Sequence, residues 1–227
     1  MKPTYPLHRP SNLTTLNKVI QLDQFNDDAK GVRSGGWCSP EYLAFIERNL
    51  IPGNTLDVGC GSGMSILSGM VTHATDANPG RVERASTRDP DVEVRLAATE
   101  CLPYEPGSMA NVTAMHGFFQ VRSDYEALME INRVLEIGGH FIFDLPIATR
   151  TLEFGRVIDM NTYLRGPLKE FGFETVEKRT LNDWEHVACV EKIKDFDFRD
   201  MLKLQVIRTE SGLYEVNNLN EDDYRLW

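Results

Sequence analysis

Thr55-Leu56-Asp57-Val58-Gly59-Cys60-Gly61-Ser62-Gly63 is the stretch that decides the fold. A short strand-like run passes directly into three glycines at alternate positions. Glycine has no Cβ and tolerates positive φ, so a G-x-G-x-G run lets the backbone turn tightly and come close to a ligand. Glycines also serve ordinary turns, and the meaning of this run comes from its surroundings. Asp57 stands at the strand end, where a carboxylate accepts hydrogen bonds from a ligand or orders the loop through bound water. Asp76, followed by Ala77, ends the next strand. At the carboxyl edge of a parallel sheet that is where a carboxylate meets the two ribose hydroxyls of an adenosine ligand. A carboxylate only accepts and a vicinal diol offers two donors, so the chemistry matches the position. The dinucleotide fingerprint G-x-G-x-x-G fits poorly: Gly63 comes one residue early and Met64 stands where the last glycine belongs, which disfavours a phosphate cradle.

Outward from the loop, short apolar runs alternate with helical stretches, the pattern of βαβ units and a parallel sheet. Strands are expected at residues 55–58, 71–75, 92–96, 112–115 and 140–145, and helices at 62–69, 79–87 and 123–135. The last of these helices has Ser123 as a cap and Glu126 three residues on. Leu128, Ile131, Val134 and Leu135 line one face, and Gly138-Gly139 is read as its left-handed C-terminal cap. Upstream, Ser39-Pro40 starts a helix whose Tyr42, Phe45, Ile46 and Leu50 share a face. Downstream, a helix at residues 162–171 leads into an antiparallel pair, 173–178 and 187–193, turning at Asn182-Asp183. The fold class expected is α/β: a Rossmann-like three-layer sandwich. Residues 1–36 form an arm, 37–194 the domain, and 195–227 an acidic extension with a hairpin at 202–207 and 213–216 around Ser211-Gly212.

The chain has 227 residues and a net charge of -10. That sign opposes broad neutralisation of phosphates and favours a small-molecule or protein partner over nucleic acid. Cys38, Cys60, Cys101 and Cys189 show neither C-x-x-C spacing nor a neighbouring histidine cluster, so reduced thiols and no metal site are expected. Prolines at positions 3, 6 and 10 interrupt any secretory core, and no apolar run is long enough to span a bilayer. The expected location is the cytoplasm, with no membrane partner.

Residues 54–146 resemble a class I S-adenosylmethionine-dependent methyltransferase of the broad kind that methylates small molecules. The resemblance rests on the loop from Asp57 to Gly63, on Asp76-Ala77-Asn78-Pro79, on Leu102-Pro103-Tyr104, and on Glu130-Ile131-Asn132-Arg133-Val134-Leu135-Glu136-Ile137-Gly138-Gly139. It implies a seven-stranded, mostly parallel sheet with one antiparallel strand near an edge, and S-adenosylmethionine as cofactor. It also implies Asp57, Gly59, Cys60, Gly61, Gly63, Asp76 and Ala77 as cofactor-binding residues. Such proteins usually carry an aspartate for the adenine amine where this chain has Ala98, so Thr99 and Glu100 are the candidate substitutes. Where they tend to have Phe-Asp, this chain has Met109-Ala110.

After the fourth strand, His116-Gly117-Phe118-Phe119-Gln120 occupies the position of the rim where donor and acceptor meet in similar proteins. His116 reads either as a general base, its ordinary pKa lying near operating pH, or as a polar residue shaping the cofactor pocket. Methyl transfer to an acceptor that is already nucleophilic needs only proximity and in-line orientation. Tyr104, Trp37, Phe118 and Phe119 read either as an aromatic wall around the acceptor or as core. Asp144-Leu145-Pro146 reads as a strand end. Three functions compete: a small-molecule methyltransferase, a methyltransferase of nucleic acid or protein, and a cofactor-binding protein without transfer activity, the last motivated by Ala98 and Ala110.

Overall fold

The computed structural model describes residues 40–63, 69–115, 118, 121, 124–146, 150–151, 157–158, 164–182, 185–196, 204–208 and 214–218. Its centre is β1 (Thr55–Val58), buried at every position and flanked by two parallel neighbours. On one side lie β2 (His73–Asp76) and then β3 (Glu93–Leu96); on the other lie β4 (Met109–Ala114) and β5 (Leu135–Pro146). The sheet order is β3-β2-β1-β4-β5-β9-β8, with β8 (Phe173–Asn182) and β9 (Glu185–Lys192) closing the far edge. Only β9 runs against the other six strands, as the resemblance implied. The order reverses between β1 and β4, and a doubly wound sheet opens a crevice at the carboxyl ends of strands at such a reversal. The glycine loop leaves β1 there.

Helices cover both faces. Asp57, Ala74, Thr113, Ile142 and Cys189 form one row across the sheet. On that face α1 (Pro40–Asn49) packs Tyr42, Phe45 and Ile46 against Ile142, Val187 and Cys189, and α2 (Pro79–Arg88) packs Ala85 near Ala74 and Cys60. On the opposite face α3 (Asp124–Val134) packs Leu128, Ile131 and Val134 with Leu56, Val58, Phe141 and Phe143, joined by Leu168 of the short α4 (Pro167–Glu170). Arg48 at the end of α1 pairs with Glu177 of β8 at 2.8 Å, and Asn49 donates to the same carboxylate. Outside the main sheet, β6 (Arg150–Thr151) pairs with β7 (Val157–Ile158), and β10 (Leu204–Arg208) with β11 (Tyr214–Asn218), the hairpin expected at this end of the chain.

Four expectations need correction or fall elsewhere. Of the helix expected at 62–69, residues 62, 63 and 69 lie in turns and 64–68 fall outside the described set, as does the Ser123 cap. Of the helix expected over 162–171, residues 164–165 and α4 (Pro167–Glu170) are helical, with a turn at Gly166 between them and Phe171 in a turn after α4. Most instructive is Gly138-Gly139, which does not cap α3. The helix ends at Val134, β5 begins at Leu135, and both glycines lie within β5. Between the pairs Met109↔Leu135 and Asn111↔His140 the ladder shifts, and the extra β5 residues loop out. Gly138 takes φ +83° there, and a Cβ on Gly139 would come within 3.0 Å of the Ala110 carbonyl oxygen. The end of α3 is satisfied from a distance instead. Lys192, 1% exposed, donates from Nζ to the carbonyls of Asn132 (2.6 Å) and Leu135 (2.7 Å) and pairs with Asp195. A cation at exposed C-terminal carbonyls is favoured by the helix dipole.

Near the amino end of β4, Asn111 exchanges hydrogen bonds with both the N–H (3.0 Å) and C=O (2.8 Å) of Ile51, which ties the connection between α1 and β1 to the sheet. Ala110 meets Gly53, whose added Cβ would sit 2.5 Å from that of Ala110. The departure from Phe-Asp at this point therefore belongs to packing.

Candidate cofactor site at the strand reversal

Gly59, Gly61 and Gly63 take φ values of +71°, +60° and +83°, a conformation other residues adopt only under strain. The loop they form is pinned from below and from the side. Cys60 donates its N–H to Thr75 O (2.9 Å), Gly63 donates to Cys60 O (3.2 Å), and Arg84 of α2 donates to Ser62 Oγ (3.0 Å). Asp76 joins the loop directly: Oδ2 accepts from Gly61 N at 2.9 Å and Oδ1 from Asn78 N at 2.8 Å. A carboxylate oxygen can accept from more than one donor. Asn78 then caps α2 by accepting from Arg81 N, with Pro79 at the first helical position. Ala77, half-buried, spans the two residues that do this work.

The glycines differ in what they face. Among the described residues an added Cβ on Gly61 would meet nothing within 4 Å, whereas on Gly63 it would come 3.2 Å from Ala85 Cα and 3.3 Å from Arg88 Cδ of α2. Gly61 borders open space and Gly63 borders a helix. Both substitutions strain a left-handed backbone, but Gly63→Val adds a clash with α2, so it is expected to lower the unfolding midpoint further, while Gly61→Val is expected to cost more cofactor affinity for the stability it loses. Calorimetric titration and thermal melting of the two variants separate these outcomes; equal effects on both readouts would refute the division.

Asp57 is buried deeper than its motif suggests. It is 1% exposed, and Oδ1 accepts from Thr113 Oγ1 of β4 at 2.8 Å. The carboxylate thus ties β1 to β4 across the reversal point. Thr113 was not among the sequence candidates, because its role exists only once β1 and β4 are neighbours. Cys60 is buried too. Burial first, then the charges of Asp57 and Asp76, push its thiol well above the usual range, so it is no thiolate nucleophile.

Beyond β3, Ala97 donates to Asp76 O at 3.0 Å, and Cys101 N to Ala98 O closes a turn containing Thr99 and Glu100. Ala98 and Thr99 are buried and Glu100 is half-buried. This turn adjoins the Asp76 end of the loop. Other sequence candidates separate from the site. Phe118 is core, edge-on to Phe141 at 5.3 Å. Tyr104 packs edge-on to His73, the first residue of β2, with Arg95 above its ring, so it lies away from the carboxyl edge. Its phenol oxygen is buried without a partner, and burial pushes it up to about 12. Asp144 accepts from Tyr42 on the α1 face. His116, Trp37 and Phe119 lie outside the described residues.

A loop with three left-handed glycines, an open face at Gly61 and an acceptor-only carboxylate at the sheet reversal define a nucleoside-binding α/β protein. Residues 56–143 match the methyltransferase domain family. Over 192 residues, 74% of this chain and 67% of the relative, the sequence is 27% identical to the sarcosine/dimethylglycine N-methyltransferase of Halorhodospira halochloris. Over 111 residues, 45% of this chain and 43% of the relative, it is 30% identical to an uncharacterised protein of Methanocaldococcus jannaschii. Among solved structures, geranyl diphosphate C-methyltransferase of Streptomyces coelicolor, in complex with S-adenosyl-L-homocysteine, superposes with a TM-score of 0.52 at 12% identity. That likeness covers 67% of this chain and 78% of the other. Residues 56–143 thus form a methyltransferase domain of the S-adenosylmethionine-dependent kind, with S-adenosylmethionine as its cofactor. Among the described residues no helix is long and apolar enough to cross a membrane, and no cluster of His, Cys, Asp and Glu suits a metal ion.

Proposed function

We propose that this enzyme transfers a methyl group from S-adenosylmethionine to a small-molecule acceptor in the cytoplasm. The observation that carries the reading is the engagement of Asp76 with Gly61 at the strand reversal. It holds an acceptor-only group beside backbone that a ligand can approach closely. When bound, S-adenosylmethionine supplies an electrophilic sulfonium methyl group, and its transfer leaves a neutral thioether. Asp76 takes the ribose hydroxyls, Gly59, Cys60 and Gly61 offer backbone to the amino-acid end, and Ala77, Thr99 and Glu100 border the base. Gly63 and Asp57 hold the loop in shape. His116, two residues past the end of β4, serves as general base or shapes the pocket. An unchanged turnover in His116→Ala removes the first role.

The net charge of -10 and the relative whose name specifies sarcosine and dimethylglycine support a small acceptor, with amines the first to try. Titration calorimetry on the full chain with S-adenosylmethionine, S-adenosylhomocysteine and NAD tests the cofactor reading. The first two are expected to bind and NAD not, and binding of NAD alone would overturn it. Product analysis with a panel of small amines, carboxylates and alcohols, set against RNA and a protein extract, then tests the acceptor class. Methylation confined to the macromolecules would sink the small-molecule reading.

A further inference from the structure

Between β3 and β4 the chain crosses the sheet without a helix, as irregular backbone over residues 97–108. Irregular backbone in a packed crossover must find partners for its own N–H and C=O groups. Here two side chains of α3 supply them. Arg133 grips Glu130 in a fork, Nε to Oε1 at 2.7 Å and Nη2 to Oε2 at 2.8 Å. The same guanidinium donates to Leu102 O (2.8 Å) and Tyr104 O (2.6 Å), while Glu130 Oε2 accepts from Leu102 N at 2.7 Å. The pair is only about a quarter exposed, and all of these are charge-assisted bonds, the stronger kind. Leu102 directly follows the turn of Ala98 to Cys101, whose other end is anchored to Asp76 through Ala97. The turn is therefore held at one end by the backbone carbonyl of Asp76 and at the other by the α3 ion pair.

We infer that Glu130 and Arg133 are positioning residues for the base end of the cofactor, setting the turn of residues 98–101 through the backbone of Leu102. This inference rests on the reading that the turn borders the adenine base. The fork geometry matters, because a lysine ammonium at position 133 cannot hold two carbonyls and both oxygens of Glu130 together.

The test measures affinity of the full chain for S-adenosylhomocysteine and for S-inosylhomocysteine, in which the 6-amino group of the base is replaced by a carbonyl. The parent is expected to prefer the adenine compound. Arg133→Gln and Glu130→Gln are expected to lose about tenfold in affinity for it, the scale of one hydrogen bond to a misplaced group, with little change for the inosine compound. Arg133→Lys is expected to fall between. Arg48→Gln, which breaks an ion pair between α1 and β8, controls for general loosening and should leave the preference intact. A preference unchanged in both Arg133→Gln and Glu130→Gln overturns the inference, as does an equal loss for both compounds, which marks a purely structural role. Glu130→Gln carries the measurement alone if Arg133→Gln does not fold. Thr99→Val and Glu100→Gln separate the two levels. If neither alters the preference, the reading of the turn as the base wall fails; if they alter it and the α3 variants do not, only the positioning inference fails.

Discussion

Asp76→Asn is expected to lower affinity for S-adenosylhomocysteine by about 100-fold or more while the chain stays folded, since hydrogen bonds to a charged group are worth roughly 1.5–3 kcal/mol each. The carboxylate accepts from Gly61 N and Asn78 N, one on each oxygen. An amide of the same shape must turn an NH2 toward one of those donors and toward one of the ribose hydroxyls. Donor then faces donor at the backbone N–H, the hydroxyl on that side must accept where it had donated to a charge, and the loop loses its anchor just where the ligand approaches. Calorimetry gives the affinity and circular dichroism the fold. Binding within a few-fold of the parent would show that Asp76 serves the loop alone and that the ribose is held elsewhere.

The second large effect falls far from the cofactor. Lys192→Met is expected to destabilise the chain by about 2–4 kcal/mol, because each buried carbonyl left without a donor costs roughly 1–3 kcal/mol. The carbonyls are those of Asn132 and Leu135, at the junction where α3 becomes β5. Methionine fills the same space without donating, so the loss isolates the hydrogen bonds from packing. For a chain of this size the midpoint should fall by around 4–16 °C, at roughly 2–4 °C per kcal/mol. The salt bridge to Asp195 adds little, since that carboxylate is mostly exposed. A midpoint within a degree of the parent would mean that other groups satisfy the end of α3.

The contrast between these two residues locates what sequence reading reaches. Asp76 was legible because strand, loop and second strand are local patterns, and because a carboxylate and a diol match chemically whatever lies around them. Asn78-Pro79 is equally local, a cap followed by the residue suited to a first helical turn, and α2 starts there. Lys192 had no such signal. It lies in an apolar strand pattern where a lysine reads as an exposed end, and its partners are 57 and 60 residues away in sequence. The same distance hid Thr113 from Asp57. The segments Leu102-Pro103-Tyr104 and Glu130 to Arg133 were noticed separately as marks of the family, yet nothing in either announces that one clamps the other. Gly138-Gly139 misled for a related reason: a glycine pair after a helix is the usual sign of a cap, and here the cap comes from another strand.

By itself, then, the sequence determined the alternation of strands and helices, the glycine loop, the carboxylate that follows it and the class of cofactor. These depend on local backbone preference and on side-chain chemistry within a few residues. Tertiary structure decided which glycine faces open space and which a helix, that Asp57 braces the sheet through Thr113, and how the crossover between β3 and β4 is held. Each of these depends on two distant segments being brought to within hydrogen-bonding or van der Waals distance, and that proximity exists only in the assembled sheet.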